Sequence, residues 1–263
     1  MNKNSPIGIF DSGVGGSSIW QEIHKHLPHE HTIYLADSKN APYGNKSAEE
    51  ITELSIKNTE KLLHLGAKLI VVACNTATTN AIVTLRQNYN IPIIGIEPAI
   101  KPAALKTVSK SIGILATKGT LSSALFSATT REFTKDISVV EIIGEGLVPL
   151  IEAGNLDGPE MISLLKKHTE PMISANVDYV VLGCSHYPYI IPQLKEILPK
   201  NVTIIDSGEA VARQTKTVLQ SLDLLREEYT PPKLQFFTNA KTDTLKFLLK
   251  KYSEKISVEN CDF

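Results

Sequence analysis

Two cysteines, Cys74 and Cys184, are the residues of this 263-residue chain best suited to chemistry. Each follows a short apolar run, residues 69–73 in one case and 179–183 in the other. Such runs are typical of buried strands in parallel sheets, where functional side chains gather at the carboxyl ends of the strands. If the two strands face each other, one thiol can remove a proton from a carbon atom while the other protonates its opposite face. Inversion of a carbon centre requires such a pair.

The residues next to each cysteine are polar. Asn75 and Thr76 follow the first cysteine, whereas Ser185 and His186 follow the second. A lone cysteine that ends an apolar run is usually a small buried residue, but these neighbours suit a small polar ligand better than a core. Asp11 ends the strand predicted to lie beside the first cysteine, so each thiol has a candidate polar partner. Matched positions and polar neighbours together favour a catalytic role.

A zinc site and a single-cysteine hydrolase are the competing interpretations. Cys184 and His186 are potential zinc ligands, but no other cysteine or histidine stands near Cys74 in the sequence to supply the usual close pair. A Cys-His hydrolase would leave the second thiol without a role. Cys261, in the C-terminal tail, is interpreted as an ordinary thiol. We therefore predict that the site binds no metal.

The elements that must position these residues alternate between strands and helices. The predicted strands span residues 7–10, 32–37, 69–73, 92–96, 112–116, 137–143, 179–183 and 202–206. Helices are predicted at about 17–27, 47–66, 77–89, 147–152 and 159–175, the second of them beginning with a capping box. A glycine-rich turn, residues 11–16, precedes the first helix, where free amides can hold an anion. This alternation predicts an α/β fold with parallel sheets.

The second half of the chain repeats the pattern of the first, which indicates a diverged duplication. We predict two pseudo-symmetric, doubly wound parallel-sheet lobes with the active site in the cleft between them. The tail is predicted to contain a helix to about residue 225, a strand at 234–238, a helix at 242–252 and a strand near 256–259. Because it is too small to fold alone, we assign residues 1–98 plus 208–263 to the first lobe and 99–207 to the second.

Composition excludes several classes of function. A net charge of -1 gives no basic surface for nucleic acid or an anionic membrane. The sequence has neither a signal-peptide pattern at its start nor an apolar stretch near the roughly 20 residues that span a bilayer. Three cysteines are too few for a disulfide framework in a chain of this size. We therefore expect a cytoplasmic protein with reduced thiols.

Four separated motifs resemble the glutamate racemase family and occur in the family's order. They are Asp-Ser-Gly-Val-Gly-Gly at 11–16, Pro-Tyr-Gly at 42–44, Cys-Asn-Thr-Ala at 74–77 and Gly-Cys-Ser-His-Tyr-Pro at 183–188. The resemblance runs through nearly the whole chain. It implies interconversion of L- and D-glutamate without a cofactor, in a homodimer that supplies D-glutamate for bacterial peptidoglycan.

The resemblance also implies roles for individual residues. Cys74 and Cys184 would be the acid/base thiols, with Asp11 assisting the first and His186 and Glu152 on the side of the second. The substrate-binding residues would be Asp11, Ser12, Pro42, Tyr43, Gly44, Asn75, Thr76, Thr117, Ser185 and His186. Asp37 matches a family carboxylate near the site and would support it. Serine at position 185 departs from the family's usual threonine but keeps the hydroxyl, so we expect binding to survive.

Three alternatives stay open at this point. They are a racemase of another acidic amino acid such as aspartate, a hydrolase or lyase that uses one thiolate, and an amino-acid binding protein on a two-lobe scaffold. Incorporation of solvent deuterium at the α-carbon distinguishes a racemase from the other two. Without an electron-sink cofactor, we expect the lobes to close on substrate and exclude water.

Overall fold

The computed structural model describes residues 2–228 and 230–263, in which strands and helices alternate. The strands are β1 (Ile7–Asp11), β2 (Thr32–Ala36), β3 (Leu69–Val72), β4 (Ile93–Gly95), β5 (Ser111–Ala116), β6 (Ser138–Ile143), β7 (Tyr179–Gly183), β8 (Thr203–Ile205), β9 (Leu234–Thr238) and β10 (Ile256–Asn260). The helices are α1 (Ser17–His26), α2 (Ala48–His64), α3 (Asn75–Asn88), α4 (Ile100–Lys106), α5 (Lys118–Leu121), α6 (Ala124–Phe133), α7 (Leu147–Glu152), α8 (Pro159–Ser174), α9 (Ile191–Ile197), α10 (Gly208–Ser221) and α11 (Asp243–Leu248).

The strands form two parallel sheets with a shared topology. The first sheet has the order β10-β9-β2-β1-β3-β4, and the second has the order β6-β5-β7-β8. The order β2-β1-β3-β4 thus recurs as β6-β5-β7-β8, with β3 and β7 each beside the first strand of its half. We call the elements around the first and second sheets the first and second lobes. The predicted α/β fold of two related parallel-sheet lobes is confirmed.

The C-terminal tail extends the first sheet. Its strand β9 pairs with β2, and β10 pairs with β9, all in parallel. This pairing supports the predicted division into residues 1–98 plus 208–263 and 99–207, although the boundaries themselves stay a prediction. Among the described residues, no helix is both long enough and apolar enough to cross a membrane.

Helices cover both faces of the first sheet, so the central strands are buried on both sides. Every residue of β1, β2 and β3 is buried. Apolar residues of α1 and α10 pack on one face, and those of α2 and α3 pack on the other. The continuous apolar runs in the sequence are a consequence of this two-sided burial.

Several helices differ from the sequence prediction. The helix predicted to reach residue 225 ends at Ser221, two residues before Asp223, whose left-handed φ of 53° cannot continue a helix. The helix predicted at 242–252 is divided into α11 and a 3-10 turn, Lys250–Tyr252. Helices α4, α5, α6 and α9 were not predicted; α4, α5 and α9 have at most seven residues, too few to show a clear 3.6-residue periodicity. The capping box of α2, formed by Ser47 and Glu50, is confirmed.

One buried ion pair ties the start of the chain to the first lobe. Lys68, immediately before β3, is 1% exposed, and its Nζ lies 2.6 Å from Oε2 of Glu30. It also donates to the backbone carbonyls of Lys3 and Leu224, at 2.5 and 2.8 Å. Burial lowers the pKa of Lys68, while Glu30 opposes that shift. The other Glu30 oxygen accepts the backbone N–H of Arg226 at 2.8 Å.

We predict that Glu30→Ala destabilises the fold by about 3–5 kcal/mol, because it leaves a buried ammonium without its counter-charge. Urea denaturation measures the change in the free energy of unfolding. Glu22→Ala is the control, since the carboxylate of Glu22 forms a peripheral pair with Lys25 at 3.3 Å, and we expect a change within about 0.5 kcal/mol. Equal effects of the two substitutions would contradict the prediction.

Candidate active site

The two lobes meet over a small closed cavity at the carboxyl ends of β1, β3 and β7. Cys74 lines it from the first lobe and Cys184 from the second. Only about 10 Å³ is open to the centre of a water molecule, roughly the space that one water needs. A larger ligand therefore enters only when the lobes separate. The lining residues are Ser12, Pro42, Tyr43, Gly44, Cys74, Asn75, Thr76, Thr117, Val148, Cys184, Ser185 and His186.

Cys74 lies at the N-cap of α3 and is 4% exposed. Its Sγ accepts the backbone N–H of Ala77 at 3.4 Å and lies 3.5 Å from Oγ of Ser12, to which the thiol donates. Burial, and after it the nearby charge of Asp11, raises the pKa of Cys74 to about 12. In the closed structure Cys74 is therefore a neutral thiol, a group able to deliver a proton.

Cys184 belongs to a chain of polar groups that also includes His186 and Glu152. Nδ1 of His186 lies 3.7 Å from Sγ of Cys184, and its Nε2 lies 2.6 Å from Oε1 of Glu152. Burial by itself lowers the pKa of His186, but its hydrogen bonds and charge interactions with Cys184 and Glu152 raise it well above the ordinary value. The resulting imidazolium is the counter-ion that a Cys184 thiolate needs.

Asp11 contacts the opposite lobe rather than the sulfur of Cys74. Its carboxylate accepts the backbone N–H of Gly13 and the hydroxyl of Ser185, each at 2.9 Å. Burial raises the pKa of Asp11, and the charge of His186 opposes that shift. Asp11 thus acts on Cys74 through its charge, while the hydroxyl of Ser12 makes the direct contact. The predicted assistance of Asp11 to Cys74 stays a prediction.

The glycine-rich turn holds a carboxylate of the protein itself. The backbone N–H of Val14 donates to Oε1 of Glu152 at 2.7 Å. A Cβ atom at Gly13 would lie 1.9 Å from that same oxygen, and one at Gly15 would lie 2.2 Å from Nδ1 of His186. The turn must lack side chains at these positions because the second lobe packs directly on its backbone.

The other predicted binding residues gather around the same cavity. Asn75 is 2% exposed, and neither polar atom of its side chain has a partner among the described residues. A buried amide of this kind is costly unless a ligand satisfies it. Oγ1 of Thr76 and Oγ1 of Thr117 lie 2.8 Å apart and connect the lobes. Pro42, Tyr43 and Gly44 contribute a loop from the first lobe.

Asp37 lies outside the cavity and holds one of its walls. It accepts the hydroxyl of Tyr43 at 2.5 Å and side-chain amides of Asn40, Asn58 and Asn239. The supporting role predicted for Asp37 thus corresponds to a contact with Tyr43. Sequence reasoning missed the two distant asparagines, because nothing in their local sequence indicates that they converge on one carboxylate.

Two other residues of the site were missed by the sequence analysis. Val148 lines the cavity from α7, and the hydroxyl of Thr120 lies 3.0 Å from that of Thr117 and 3.3 Å from that of Thr76. Thr117 caps α5 by accepting the backbone N–H of Thr120. A threonine three residues before Thr120 is a pattern typical of a helix start, and it could have indicated that the two residues lie together. Among the residues that the structure describes, no group of three or more histidines, cysteines or carboxylates is suitably arranged for metal binding.

Comparisons with known proteins agree with this geometry. The profile of the Asp/Glu/hydantoin racemase family matches residues 16–215. A glutamate racemase from Ectopseudomonas mendocina is 48% identical over 227 residues, which cover 86% of each chain. A glutamate racemase from Pseudomonas aeruginosa is 43% identical over 94% of this chain and 93% of the relative.

Solved structures share the whole architecture. The crystal structure of glutamate racemase isoform RacE1 from Bacillus anthracis has a TM-score of 0.87 and 31% identity, covering 100% of this chain and 99% of the other. Glutamate racemase from Escherichia coli, crystallised with L-glutamate and the activator UDP-MurNAc-ala, has a TM-score of 0.85 and 32% identity. That likeness covers 97% of this chain and 98% of the other.

We predict that His186 stays protonated at a pH where ordinary histidines have lost their proton, because Cys184 and Glu152 raise its pKa. Replacing Glu152 by glutamine removes a negative charge and lowers that pKa. A titration of the histidine side chains by NMR measures both values, with exposed His64 as the comparison outside the site. An unchanged His186 titration in Glu152→Gln would show that the carboxylate has no influence on the imidazole.

Proposed function

The chain belongs to the Asp/Glu/hydantoin racemase family, as its motifs predicted, and we propose that it interconverts L- and D-glutamate by proton transfer through Cys74 and Cys184. The observation that carries the proposal is that both thiols line one cavity, from different lobes, with different polar partners. Curated relatives at 42–48% identity over most of the chain are glutamate racemases, which supports the same reaction and substrate.

The proton transfer has a starting arrangement with one acid and one base. Cys184, as a thiolate paired with the imidazolium of His186, takes the α-proton and becomes a thiol. Cys74, as a thiol, delivers its proton to the other face of the α-carbon and becomes a thiolate. The charge of the site is unchanged, and the enzyme is left in the form that accepts the opposite enantiomer. Each enantiomer is thus deprotonated by one thiol and reprotonated by the other.

The α-carboxylate of the substrate needs donors, because negative charge spreads onto it as the α-proton leaves. The first amides of α3 have no partner within the helix, and Asn75 and Thr76 carry two of them. A carboxylate bound there also gains from the helix dipole. The unpartnered side-chain amide of Asn75 supports this location. Hydrogen bonds that strengthen as charge develops stabilise the carbanion, which in other enzymes a cofactor stabilises.

Lobe opening is part of the proposed cycle, since the closed cavity is too small for glutamate. Hydrogen bonds hold the lobes together near the site, including Oγ of Ser18 to the carbonyl of Ser185 at 2.8 Å and the Thr76–Thr117 pair. Such bonds exchange with water at little net cost, about 0.5–1.5 kcal/mol each. Closure after binding expels water and strengthens the charge interactions of the thiols.

The proposal includes several finer points that the motif resemblance supports. We propose that the enzyme needs no cofactor, acts as a homodimer, and supplies D-glutamate for peptidoglycan in the cytoplasm. Sedimentation velocity measures the oligomeric state, and activity after exhaustive dialysis against a chelator tests cofactor independence. Rescue of a bacterium that requires D-glutamate tests the cellular role.

We predict that Cys74→Ser and Cys184→Ser each reduce racemisation by at least about 10²-fold, because an alcohol is a much weaker acid than a thiol. Polarimetry with either enantiomer of glutamate measures the rate. In deuterated water, the wild-type enzyme should introduce one deuterium at the α-carbon of each product molecule. Cys261→Ser is the matched control, since this thiol lies in the tail and, among the described residues, donates only to the carbonyl of Asp262.

The results also separate the alternatives. If either active-site variant keeps full activity, the two-thiol scheme is wrong. A hydrolase or lyase changes the composition of its substrate, and a binding protein holds glutamate without any loss of optical rotation.

We predict that aspartate is racemised at least about 10²-fold less efficiently, because a shorter substrate leaves buried polar groups without partners. Equal kcat/KM values for L-aspartate and L-glutamate would instead identify an enzyme with broad specificity for acidic amino acids.

A further inference from the structure

We propose that Ser38 and Thr244 are positioning residues that hold Glu152 against His186, so that the Cys184 half of the site is complete only when the lobes are closed. This inference rests on the proposed function, because it concerns how one of the two thiols is prepared for proton transfer. Neither residue lines the cavity. Both belong to the first lobe, whereas Glu152 and His186 belong to the second.

The evidence is a set of contacts that surround Glu152. Three groups of the first lobe bind it: the backbone N–H of Val14 donates to Oε1 at 2.7 Å, Oγ of Ser38 donates to Oε2 at 3.1 Å, and Oγ1 of Thr244 donates to its backbone carbonyl at 2.8 Å. Only the fourth contact, His186 Nε2 to Oε1 at 2.6 Å, lies within the second lobe. Glu152 is therefore held mainly by the lobe to which it does not belong.

Each contact fixes a different freedom of Glu152. Val14 and His186 share Oε1, so the hydroxyl of Ser38 on Oε2 is what sets the rotation of the carboxylate plane. Thr244 acts on the backbone, because Glu152 is the last residue of α7 and its carbonyl has no partner within the helix. The Glu152 side chain remains 17% exposed. Without these contacts a flexible glutamate side chain can turn towards water.

A purely structural role does not account for the two hydroxyls. Ser38 lies in a 3-10 turn and Thr244 near the start of α11, and both are only half-buried. Loss of one such hydrogen bond costs about 1 kcal/mol of stability. On the other side of the cavity, Cys74 has Ser12 and Ala77 as its partners. The effect of Ser38 and Thr244 should therefore be confined to the thiol that depends on Glu152 and His186.

The reaction itself offers a way to see this asymmetry. Two enantiomers have the same free energy in water, so kcat/KM must be equal in the two directions for every variant. Isotope effects need not be equal. If transfer at Cys184 alone is slowed, the deuterium isotope effect rises for the enantiomer whose α-deuteron Cys184 removes. It does not rise for the other enantiomer, whose α-deuteron is removed by Cys74 in a faster step.

The experiment compares Ser38→Ala and Thr244→Val with the wild-type enzyme, using α-deuterated L- and D-glutamate. We expect kcat to fall about 10-fold, less than the roughly 10²–10⁴-fold that a general acid or base itself contributes, and the isotope effect to rise for one enantiomer only. Ser38→Thr keeps a hydroxyl and should restore most of the activity. Thr242→Val is the matched control, because the hydroxyl of Thr242 makes no capping bond to α11.

A second measurement does not depend on turnover. Alkylation by iodoacetamide, quantified separately for each cysteine by mass spectrometry, should become several-fold slower for Cys184 relative to Cys74 in both variants, because a poorly oriented Glu152 supports the His186 imidazolium less well. Lobes that simply open more often would speed both thiols alike and leave the ratio unchanged. Cys261 reports the intrinsic reagent rate.

The outcomes are distinct for the two proposals. Isotope effects that change equally for both enantiomers, together with an unchanged alkylation ratio, would overturn the positioning role. A wild-type protein without racemase activity would overturn the proposed function, while the alkylation ratio would still decide whether Ser38 and Thr244 act on Cys184. If one variant does not fold, as judged by circular dichroism, the other carries the test.

Discussion

The contact between Glu152 and His186 is the interaction on which the arrangement of the site depends. The Glu152 carboxylate favours the protonated imidazole beside Cys184. The same carboxylate oxygen also accepts the backbone N–H of Val14 from the other lobe. A single oxygen thus links the chemistry of one lobe to the backbone of the other. The glycine-rich turn, which in many α/β proteins binds the phosphate of a ligand, here binds a side chain of its own protein.

The two thiols have surroundings that differ in their physical effects. Cys74 is kept neutral chiefly by burial, with the charge of Asp11 as a second cause. Cys184 has an imidazolium within reach, because two neighbours outweigh the cost of burying the charge of His186. The duplicated fold supplies two equivalent strand ends, but the side chains around them have diverged. Symmetry of the backbone therefore coexists with asymmetry of the electrostatics.

Sequence patterns predicted the features that depend on residues close together in the chain. Apolar runs predicted the buried strands, and the Cys-Asn-Thr and Cys-Ser-His motifs predicted where the polar groups meet. Partners that are distant in the sequence could not be predicted in this way: Asp11 binds Ser185 across the cleft, and within the first lobe Ser12 contacts Cys74 and Asn239 reaches Asp37 from the tail. These contacts depend on how the strands and helices pack and on how the lobes dock, and the sequence around each residue has no signal for a partner more than 60 positions away. Short helices were missed for a related reason. Their stability comes mostly from packing against the rest of the protein, which the sequence of so few residues does not reveal.

The serine at position 185 shows what the cleft requires of its residues. Its hydroxyl donates to the buried Asp11 across the lobes at 2.9 Å, a contact that a serine makes as well as a threonine. A methyl group in its place would leave Asp11 with one donor fewer in a buried setting, which is costly for a carboxylate. Loss of the threonine methyl removes only packing contacts. The cleft thus retains the groups that satisfy its buried charges, while each sheet carries its apolar packing on its own faces. This division lets the lobes separate without exposing either core.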